Sequence, residues 1–255
     1  MTRDERRAAL EQIAQEVRAC TACRLHESRT RAVPGEGDPD TEVVFVGEGP
    51  GFNEDREGRP FVGRAGALLV RLLGSLGWRR EDVFITNVVK CRPPDNRDPE
   101  QDEIAACAPY LRRQLEALDP AVVVTLGRHS MGMFMPGARI GQVHGATRPA
   151  DPSTGARDAL VFAMYHPAAA LRTPALERES YDDIARVPAV LERSRERRAG
   201  AAAPEATSPE ATSPAPEASA GDVPAPTARP AVAGAPVPPV ESPAPLDDAS
   251  QLTLF

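Results

Sequence analysis

Four short apolar runs, separated by stretches with helical spacing, constrain the fold of this chain more than any other feature. Valine, isoleucine and phenylalanine are concentrated at residues 42–47, 83–89, 121–126 and 159–165. Helix-like patterns cover residues 66–76, 99–118 and 176–193. Strands that alternate with helices are typical of a parallel sheet covered on both faces, so we predict an α/β domain within residues 1–195. Ligands bind beyond the carboxyl ends of such strands, which makes the segments after each run candidates for the functional site.

The last quarter of the 255-residue chain has a different composition. Residues 200–250 are rich in proline and alanine, and they contain neither a periodic apolar face nor an aromatic residue. We therefore predict a disordered linker over residues 196–249. Residues 201–255 contain seven acidic residues and one arginine, so the net charge of −7 leaves only −1 for residues 1–200. Any affinity of the predicted domain for a polyanion has to come from locally placed arginines.

The amino-terminal segment does not have the pattern of a signal peptide. Residues 1–20 are densely charged, and no later segment is apolar over a length that would cross a membrane. We therefore expect a cytoplasmic protein with no membrane association. Disulfides are rare in that reducing compartment, so the four cysteines are expected to serve another purpose.

The cysteine spacing indicates a common ligand site. Cys20 and Cys23 form a CxxC pair, whereas Cys91 and Cys107 are more widely spaced and flank a proline-rich segment. Four thiolates suit either a [4Fe–4S] cluster or a zinc ion, and the spacing alone does not separate the two. Four unligated cysteines are the remaining alternative.

A glycine-rich loop follows the first apolar run. Its sequence, GEGPGFNEDREGRPFVG, begins at Gly47 and brings the carboxylates of Glu48, Glu54 and Asp55 into one segment. Glycines at this density let a backbone pass close to a ligand. A simple turn with solvated acids is an equally good interpretation of the loop alone.

Polar side chains also lie near the ends of the second and fourth runs. Asn87 offers one acceptor and two donors, which suits recognition of the polar edge of a nucleobase. His166 precedes a proline and is placed to donate to a developing oxyanion. The alternatives are structural, with the asparagine capping a strand end or turn and the histidine serving the fold.

Taken together, these segments resemble the family 4 (thermostable-type, iron–sulfur) uracil-DNA glycosylases. The resemblance covers roughly residues 10–195 and rests on the CxxC pair, GEGPGFNEDREGRPFVGRAG, TNVVKCRPPDNRDP, the cysteine in helix-like segment 99–118, and HPAAALR, all in the family's order. It implies a three-layer α/β/α sandwich with a central four-stranded parallel sheet. It also implies hydrolysis of the N-glycosidic bond of uracil in DNA and a [4Fe–4S] cluster on the four cysteines, with zinc as second choice.

The resemblance assigns roles to particular side chains. Phe61 is expected to stack on a uracil flipped out of DNA, Asn87 to bind its O4 and N3–H edge, and His166 to donate to its O2. Relatives in the wider superfamily often use an aspartate to orient water where Gly49 stands here, so Glu48 becomes the expected substitute.

Other positions depart from the patterns of the superfamily. Gly51 stands where some relatives place a bulky aromatic that excludes thymine, which leaves Glu54 as a candidate for that role and for assisting the water. Ala170 stands where a wedge leucine is common, so Leu171 or Arg172 is expected to fill the gap left by the flipped base.

A second resemblance lies in the segment 250–255. Its sequence, SQLTLF, resembles the short peptide by which bacterial repair proteins bind the sliding clamp. Leu252, Leu254 and Phe255 would fill an apolar groove, and Gln251 would supply a directional hydrogen bond.

Three other functions are compatible with parts of this pattern. A relative that traps uracil-DNA covalently carries an added histidine after the second motif, and residues 88–107 contain none. A non-catalytic clamp-binding adaptor would not need the three site residues in separate loops. A glycosylase with broader specificity, for example for hypoxanthine, stays open. We expect the protein to act on single- and double-stranded DNA as a monomer.

Overall fold

The computed structural model describes residues 1–202. Its strands are β1 (Glu36–Gly37), β2 (Val43–Gly47), β3 (Phe84–Asn87), β4 (Val122–Leu126), β5 (Thr147–Pro149) and β6 (Leu160–Met164). Its α-helices are α1 (Arg3–Ala19), α2 (Leu25–Ser28), α3 (Phe52–Glu57), α4 (Arg64–Ser75), α5 (Gln101–Leu118), α6 (Arg128–Phe134), α7 (Ile140–Val143), α8 (Pro167–Ala170), α9 (Pro174–Ile184) and α10 (Val187–Ala202). Short 3₁₀ turns lie at Arg80–Asp82, Pro94–Asn96 and Pro152–Thr154.

The strands of the described residues form a sheet in the order β1-β3-β2-β4-β6-β5. The four inner strands are parallel, and every residue in them is buried, which confirms the predicted four-stranded parallel sheet. Antiparallel β1 and β5 extend this sheet at its two edges. They were not predicted because they have only two and three residues and no apolar run.

Side chains of each inner strand alternate between two helical layers. On β2, Val44 and Val46 belong to a core shared with α1, α5 and α6, whereas Val43 and Phe45 belong to a core shared with α4, α8, α9 and α10. Because both faces are covered, the strands are continuous apolar runs rather than alternating ones. The predicted three-layer α/β/α arrangement is confirmed.

The structure has two helices where the sequence predicts one. The pattern over residues 176–193 predicts a continuous helix, but α9 ends at Ile184 and α10 begins at Val187. Pro188 is the second residue of α10. In a continuous helix its ring would clash with the carbonyl of Ile184, so the chain breaks just before it. α10 then continues past residue 195 to Ala202.

The remaining sequence predictions concern the membrane and the last quarter of the chain. No helix in the described part of the chain has the length and apolar character needed to cross a membrane. The predicted linker beyond Ala202 and the predicted clamp-binding segment 250–255 lie outside the described residues.

The packing of α4 against the loop before it generates a test of the fold. A Cβ added at Gly66 would lie closer than 3.0 Å to backbone atoms of Phe61, whereas one added at Gly74, in the same helix, has no atom within 4 Å. We expect Gly66→Ala to lower the free energy of unfolding by about 1–3 kcal/mol, as overpacked sites do. Gly74→Ala should raise it by about 0.5–1 kcal/mol because alanine favours the helix. Urea unfolding measures both variants, and equal effects would contradict the packing described.

Candidate active site

A cleft of about 630 Å³ opens at the carboxyl ends of the parallel strands. Each inner strand places at least one residue in its lining: Glu48 follows β2, Asn87 ends β3, Arg128 lies beyond β4, and His166 lies beyond β6. Phe61, from the loop before α4, completes the wall. The structure thus brings together the base-binding and donor residues predicted from three separate segments.

Phe61 forms an aromatic wall of the cleft and is held in an unusual backbone conformation. Its φ is 51°, in the left-handed region that a bulky residue rarely adopts, and only 6% of the residue is exposed. Arg80 Nη1 donates a 2.9 Å hydrogen bond to its carbonyl oxygen, and the next two backbone N–H groups donate 2.8 Å bonds to Glu54 Oε1. These contacts hold the strained loop and place the ring 5.7 Å from that of His166.

Asn87 carries a buried acceptor without a partner. The residue is 1% exposed, and among the described residues its Oδ1 receives no hydrogen bond. An unsatisfied buried acceptor costs about 1–3 kcal/mol, so this oxygen is available to a donor that enters the cleft. Gly47 permits this arrangement, because a Cβ there would lie closer than 3.0 Å to both Asn87 Oδ1 and the ring of Phe61.

His166 is a neutral hydrogen-bond donor at physiological pH. Its Nδ1 accepts a 3.1 Å hydrogen bond from the backbone N–H of Ala168 at the start of α8. In the neutral ring the proton therefore lies on Nε2. Burial, and secondarily the positive charge of Arg172, lowers the pKa of His166 from 6.5 to about 4. The cleft consequently contains an imidazole that donates without carrying a charge.

Glu48 lies in a small charge cluster at the cleft. Its Oε2 is 3.8 Å from His129 Nε2, which is also 3.4 Å from Asp98 Oδ1. Burial raises the pKa of Glu48, and the nearby imidazole opposes that shift. The three side chains bring ligand atoms within 4.8 Å of one another, although Arg128 already pairs with Asp98. Sequence reasoning missed this cluster, even though the segment LGRHS follows the third predicted strand.

The residues of the glycine-rich loop differ in whether they line the cleft. Gly49, Gly51 and Glu54 line the cleft, and a Cβ at Gly51 would lie 2.8 Å from Glu54 Oε2. Because Glu54 Oε1 is bonded to the backbone after Phe61, this carboxylate supports the aromatic wall. The Asp55 carboxylate does not line the cleft: the residue is 3% exposed and accepts a 2.9 Å hydrogen bond from the backbone N–H of Thr30.

The segment after His166 contains the two candidates for the wedge. Ala170 is 1% exposed and belongs to the core. Leu171 is partly buried against the same core, whereas Arg172 is exposed and lines the cleft. Of the two predicted replacements for a wedge leucine, Arg172 is the one whose side chain borders the cleft.

The four cysteines line a second pocket, which shares no lining residue with the cleft. The sulfur atoms accept hydrogen bonds: Arg29 Nη1 donates to Cys91 at 3.0 Å, and the Lys90 backbone N–H donates to Cys107 at 3.2 Å. Burial raises the pKa of both thiols, that of Cys107 to about 11. Hydrogen bonds to sulfur stabilise thiolates, which a bound metal centre requires.

The spacing of the sulfur atoms fits a cluster better than a single ion. In the described residues, no three cysteine sulfurs lie within 4.8 Å of one another. A zinc ion at about 2.3 Å from each of four sulfurs would hold those sulfurs about 3.8 Å apart. Each thiolate of a [4Fe–4S] cluster binds a different iron, so its sulfurs lie farther apart. The donor set, all sulfur, suits either centre, so only the spacing of the sulfurs bears on the choice.

Lys90 connects the cysteine pocket to the cleft. It is 1% exposed, and its Nζ donates to Thr86 Oγ1, the Asn87 carbonyl oxygen and Gln114 Oε1 at 2.6, 2.8 and 2.7 Å. Burial lowers its pKa to about 8. Its backbone N–H is the group that donates to Cys107. Sequence reasoning missed Lys90 because an isolated lysine in an apolar segment gives no signal of its burial.

Comparison with known proteins identifies the class to which this fold and cleft belong. The model of the uracil DNA glycosylase superfamily matches residues 34–186, a range that includes β1 to β6 and every residue that lines the cleft. The type-4 uracil-DNA glycosylase of Saccharolobus solfataricus is 51% identical over 188 residues, which cover 71% of this chain and 86% of that protein. Those of Sulfurisphaera tokodaii and Thermotoga maritima are each 48% identical, over 70% and 67% of this chain and 83% and 86% of their own lengths. The chain belongs to the type-4 uracil-DNA glycosylases, the family that its sequence motifs predict.

Proposed function

We propose that this chain removes uracil from DNA by hydrolysing the N-glycosidic bond, the activity that the names of its type-4 relatives state for those proteins. The product is an abasic site, which base excision repair restores. One observation carries the assignment to the cleft: the buried Oδ1 of Asn87 receives no hydrogen bond from the described residues, and Asn87 lines the same cleft as the Phe61 ring and the His166 imidazole. A planar base with an N–H at its edge fits this arrangement.

Recognition begins with extrusion of the nucleotide. A base inside a duplex is inaccessible, and turning it out of the stack costs a few kcal/mol. Stacking on Phe61 offsets part of that cost. Asn87 Oδ1 accepts from uracil N3–H while its Nδ2 donates to O4. Cytosine has an unprotonated N3 and an amino group at these positions, so it leaves both partners unpaired and is rejected.

Bond cleavage then places negative charge on the leaving base. The C1′–N1 bond breaks with its electron pair on uracil, and His166 Nε2–H donates to O2, where that charge accumulates. A neutral imidazole suits this role, because the low pKa keeps the proton on Nε2 without a counter-ion in the pocket. Arg172, beside the imidazole, adds positive charge and is our candidate to occupy the gap in the stack.

Water completes the reaction at the sugar. We assign its orientation to Glu48, whose carboxylate lies in the cleft and faces His129. The water oxygen bonds to C1′, its proton passes through the carboxylate to solvent, and the uracil anion takes a proton from solvent. Glu54 supports this chemistry indirectly, because its bonds to the backbone hold Phe61 in place.

The excision assay tests these assignments. We expect the protein to release free uracil from a single-stranded oligonucleotide, and His166→Ala to lower the rate about 10²–10³-fold, as loss of an oxyanion donor does. Asn87→Asp should also lower it strongly, since a carboxylate offers no donor to O4. Phe134→Leu, in the core away from the cleft, serves as the control. Full activity in both site variants would overturn the assignment.

The same assay separates the remaining alternatives. Thymine and hypoxanthine oligonucleotides are tested alongside, since hypoxanthine release would indicate a broader specificity. Stoichiometric capture of the oligonucleotide without turnover would instead indicate a relative that traps uracil-DNA covalently.

We further propose that Cys20, Cys23, Cys91 and Cys107 bind a [4Fe–4S] cluster. The proposal is supported by the shared pocket, the sulfur spacing and the N–H donors to the buried sulfurs. The cluster would supply structural cross-linking there, because it joins the segment after α1 to the segment after β3 and to α5. None of its ligands lines the cleft.

Metal analysis distinguishes the two candidate centres. We expect the anaerobically purified protein to contain four iron and four acid-labile sulfides per chain, with visible absorbance that the variants Asn87→Asp and His166→Ala retain. Cys107→Ser should lose the iron and lower the unfolding temperature, because it removes one ligand of a centre that links three segments. One zinc per chain and no iron would refute the cluster.

The segment Gln251–Phe255 is proposed to bind a bacterial sliding clamp. The proposal rests on the sequence QLTLF, in which Leu252, Leu254 and Phe255 supply apolar anchors and Gln251 a polar one. Attachment to the clamp would keep the enzyme close to newly made DNA.

Removal of that segment provides the test. Deletion of residues 251–255 should abolish binding to a purified bacterial clamp while leaving uracil release from short oligonucleotides unchanged. Thr253→Ala is the matched control within the segment, since its side chain is not one of the proposed anchors, and it should bind normally. Unchanged clamp affinity in the deletion variant would refute the interaction.

A further inference from the structure

Phe52 is an exposed aromatic side chain at the edge of the cleft. The residue is 53% exposed, and the other exposed large hydrophobic residues of the described chain are Met1 at 64% and Val70 at 44%. Phe52 begins α3, directly after Gly51, which lines the cleft. A single exposed ring is common on protein surfaces, so the groups that surround this ring decide whether it has a role.

Two guanidinium groups flank this ring. Arg56 Cζ lies 5.6 Å and Arg92 Cζ 5.3 Å from the ring centroid. Arg92 comes from the other side of the cleft entrance, directly before Pro93, which also lines the cleft. The platform formed by Phe52, Arg56 and Arg92 therefore joins the loop after β2 to the loop after β3.

The charges of this platform are not neutralised by the protein. Among the described residues, neither Arg56 nor Arg92 has a carboxylate within 4.0 Å, and Arg92 Nε donates to the amide oxygen of Asn96 at 2.7 Å. Of the arginines that line the cleft, Arg97 pairs with Glu103 and Arg128 with Asp98, whereas Arg172 has no carboxylate of the described residues within 4.0 Å. Residues 1–200 carry a net charge of only −1, so the guanidinium groups of Arg56 and Arg92 supply local positive charge that the domain as a whole does not.

We infer that Phe52, Arg56 and Arg92 form a binding site for the single-stranded DNA that flanks the flipped uracil. A neighbouring base stacks on Phe52, and the guanidinium groups of Arg56 and Arg92 beside the ring bind the adjoining phosphates. Aromatic rings with arginines are the combination by which proteins bind single strands without sequence preference. The site rests on the proposed function, since it extends the same strand whose uracil enters the cleft. It assigns substrate binding to residues that take no part in the chemistry.

Steady-state kinetics measure the contribution of the ring. With a single-stranded uracil oligonucleotide we expect Phe52→Ala to raise KM about 5- to 100-fold, the range that loss of one base–aromatic stack gives, and to leave kcat unchanged. Phe52→Tyr should restore the KM because it keeps the ring. Val70→Ala, which removes an exposed apolar side chain on α4, is the matched control and should not change KM. A KM for Phe52→Ala equal to that of the control would overturn the site.

The salt dependence isolates the two cations. Each phosphate contact on a single strand contributes about 0.7 to the slope of log K against log salt concentration. Arg56→Gln and Arg92→Gln should each reduce that slope by about this amount, and together by about twice as much. An unchanged slope in the double variant would show that neither guanidinium binds phosphate.

A fluorescence measurement keeps this proposal separate from the excision activity. Trp78 is the chain's single tryptophan, so Phe52→Trp in a Trp78→Phe background places the only indole on the platform. We expect uracil-free single-stranded DNA to quench its emission, with saturation that Arg92→Gln weakens. If the wild-type enzyme releases no uracil but quenching is observed, the catalytic proposal fails and the binding site stands. If uracil is released normally but no quenching is observed, the binding site fails and the catalytic proposal stands.

Discussion

The candidate site and the cysteine pocket both depend on one buried ammonium group. Removing a charged amine from water costs several kcal/mol unless its protons are accepted, and Lys90 Nζ has three protons and three acceptors. Two acceptors belong to β3, the hydroxyl of Thr86 and the carbonyl of Asn87, while the third is Gln114 on α5. The lysine therefore fixes the end of the central strand to the helix that packs beneath it. Its pKa of about 8 keeps most of the amine protonated at neutral pH, when these bonds are needed.

This linkage gives the cysteine pocket a physical connection to base recognition. The backbone of Lys90 donates to the sulfur of Cys107, and Cys91 is the next residue along the chain. A centre that binds both sulfurs would hold the segment at Lys90 in two ways. One is through Cys91, the covalent neighbour of Lys90, and the other is through Cys107, which lies on α5. The amide of Asn87 lies at the other end of the same short segment, with Gly47 leaving just enough space for it. The proposed metal centre would thus act on the position of the amide, although none of the four cysteines lines the cleft.

Much of this arrangement follows from local sequence signals, and the rest does not. Apolar runs locate the four parallel strands, and the rule that ligands bind beyond their carboxyl ends brings Asn87 and His166 together without any knowledge of contacts. The roles of Lys90 and Glu54 are different, because they depend on acceptors and donors that only the folded chain supplies. His129 is missed for a simpler reason: it follows a predicted strand like the others, but nothing in LGRHS distinguishes a charge partner of Glu48 from a solvated histidine.

The electrostatics of the cleft indicate how it binds a polyanion from a nearly neutral domain. A strong positive field would attract DNA of any sequence, but here several arginines are paired with carboxylates and the cleft contains an uncharged imidazole. In the function we propose, the platform of Phe52, Arg56 and Arg92 adds affinity without base preference. The rest of the binding energy comes from contacts that require an extruded base: stacking on Phe61 and hydrogen bonds to Asn87. Such contacts discriminate between bases, whereas a field does not. They also form with the least cost when the base is already unstacked, so this cleft is better suited to uracil in single strands or weakened pairs than in an intact duplex.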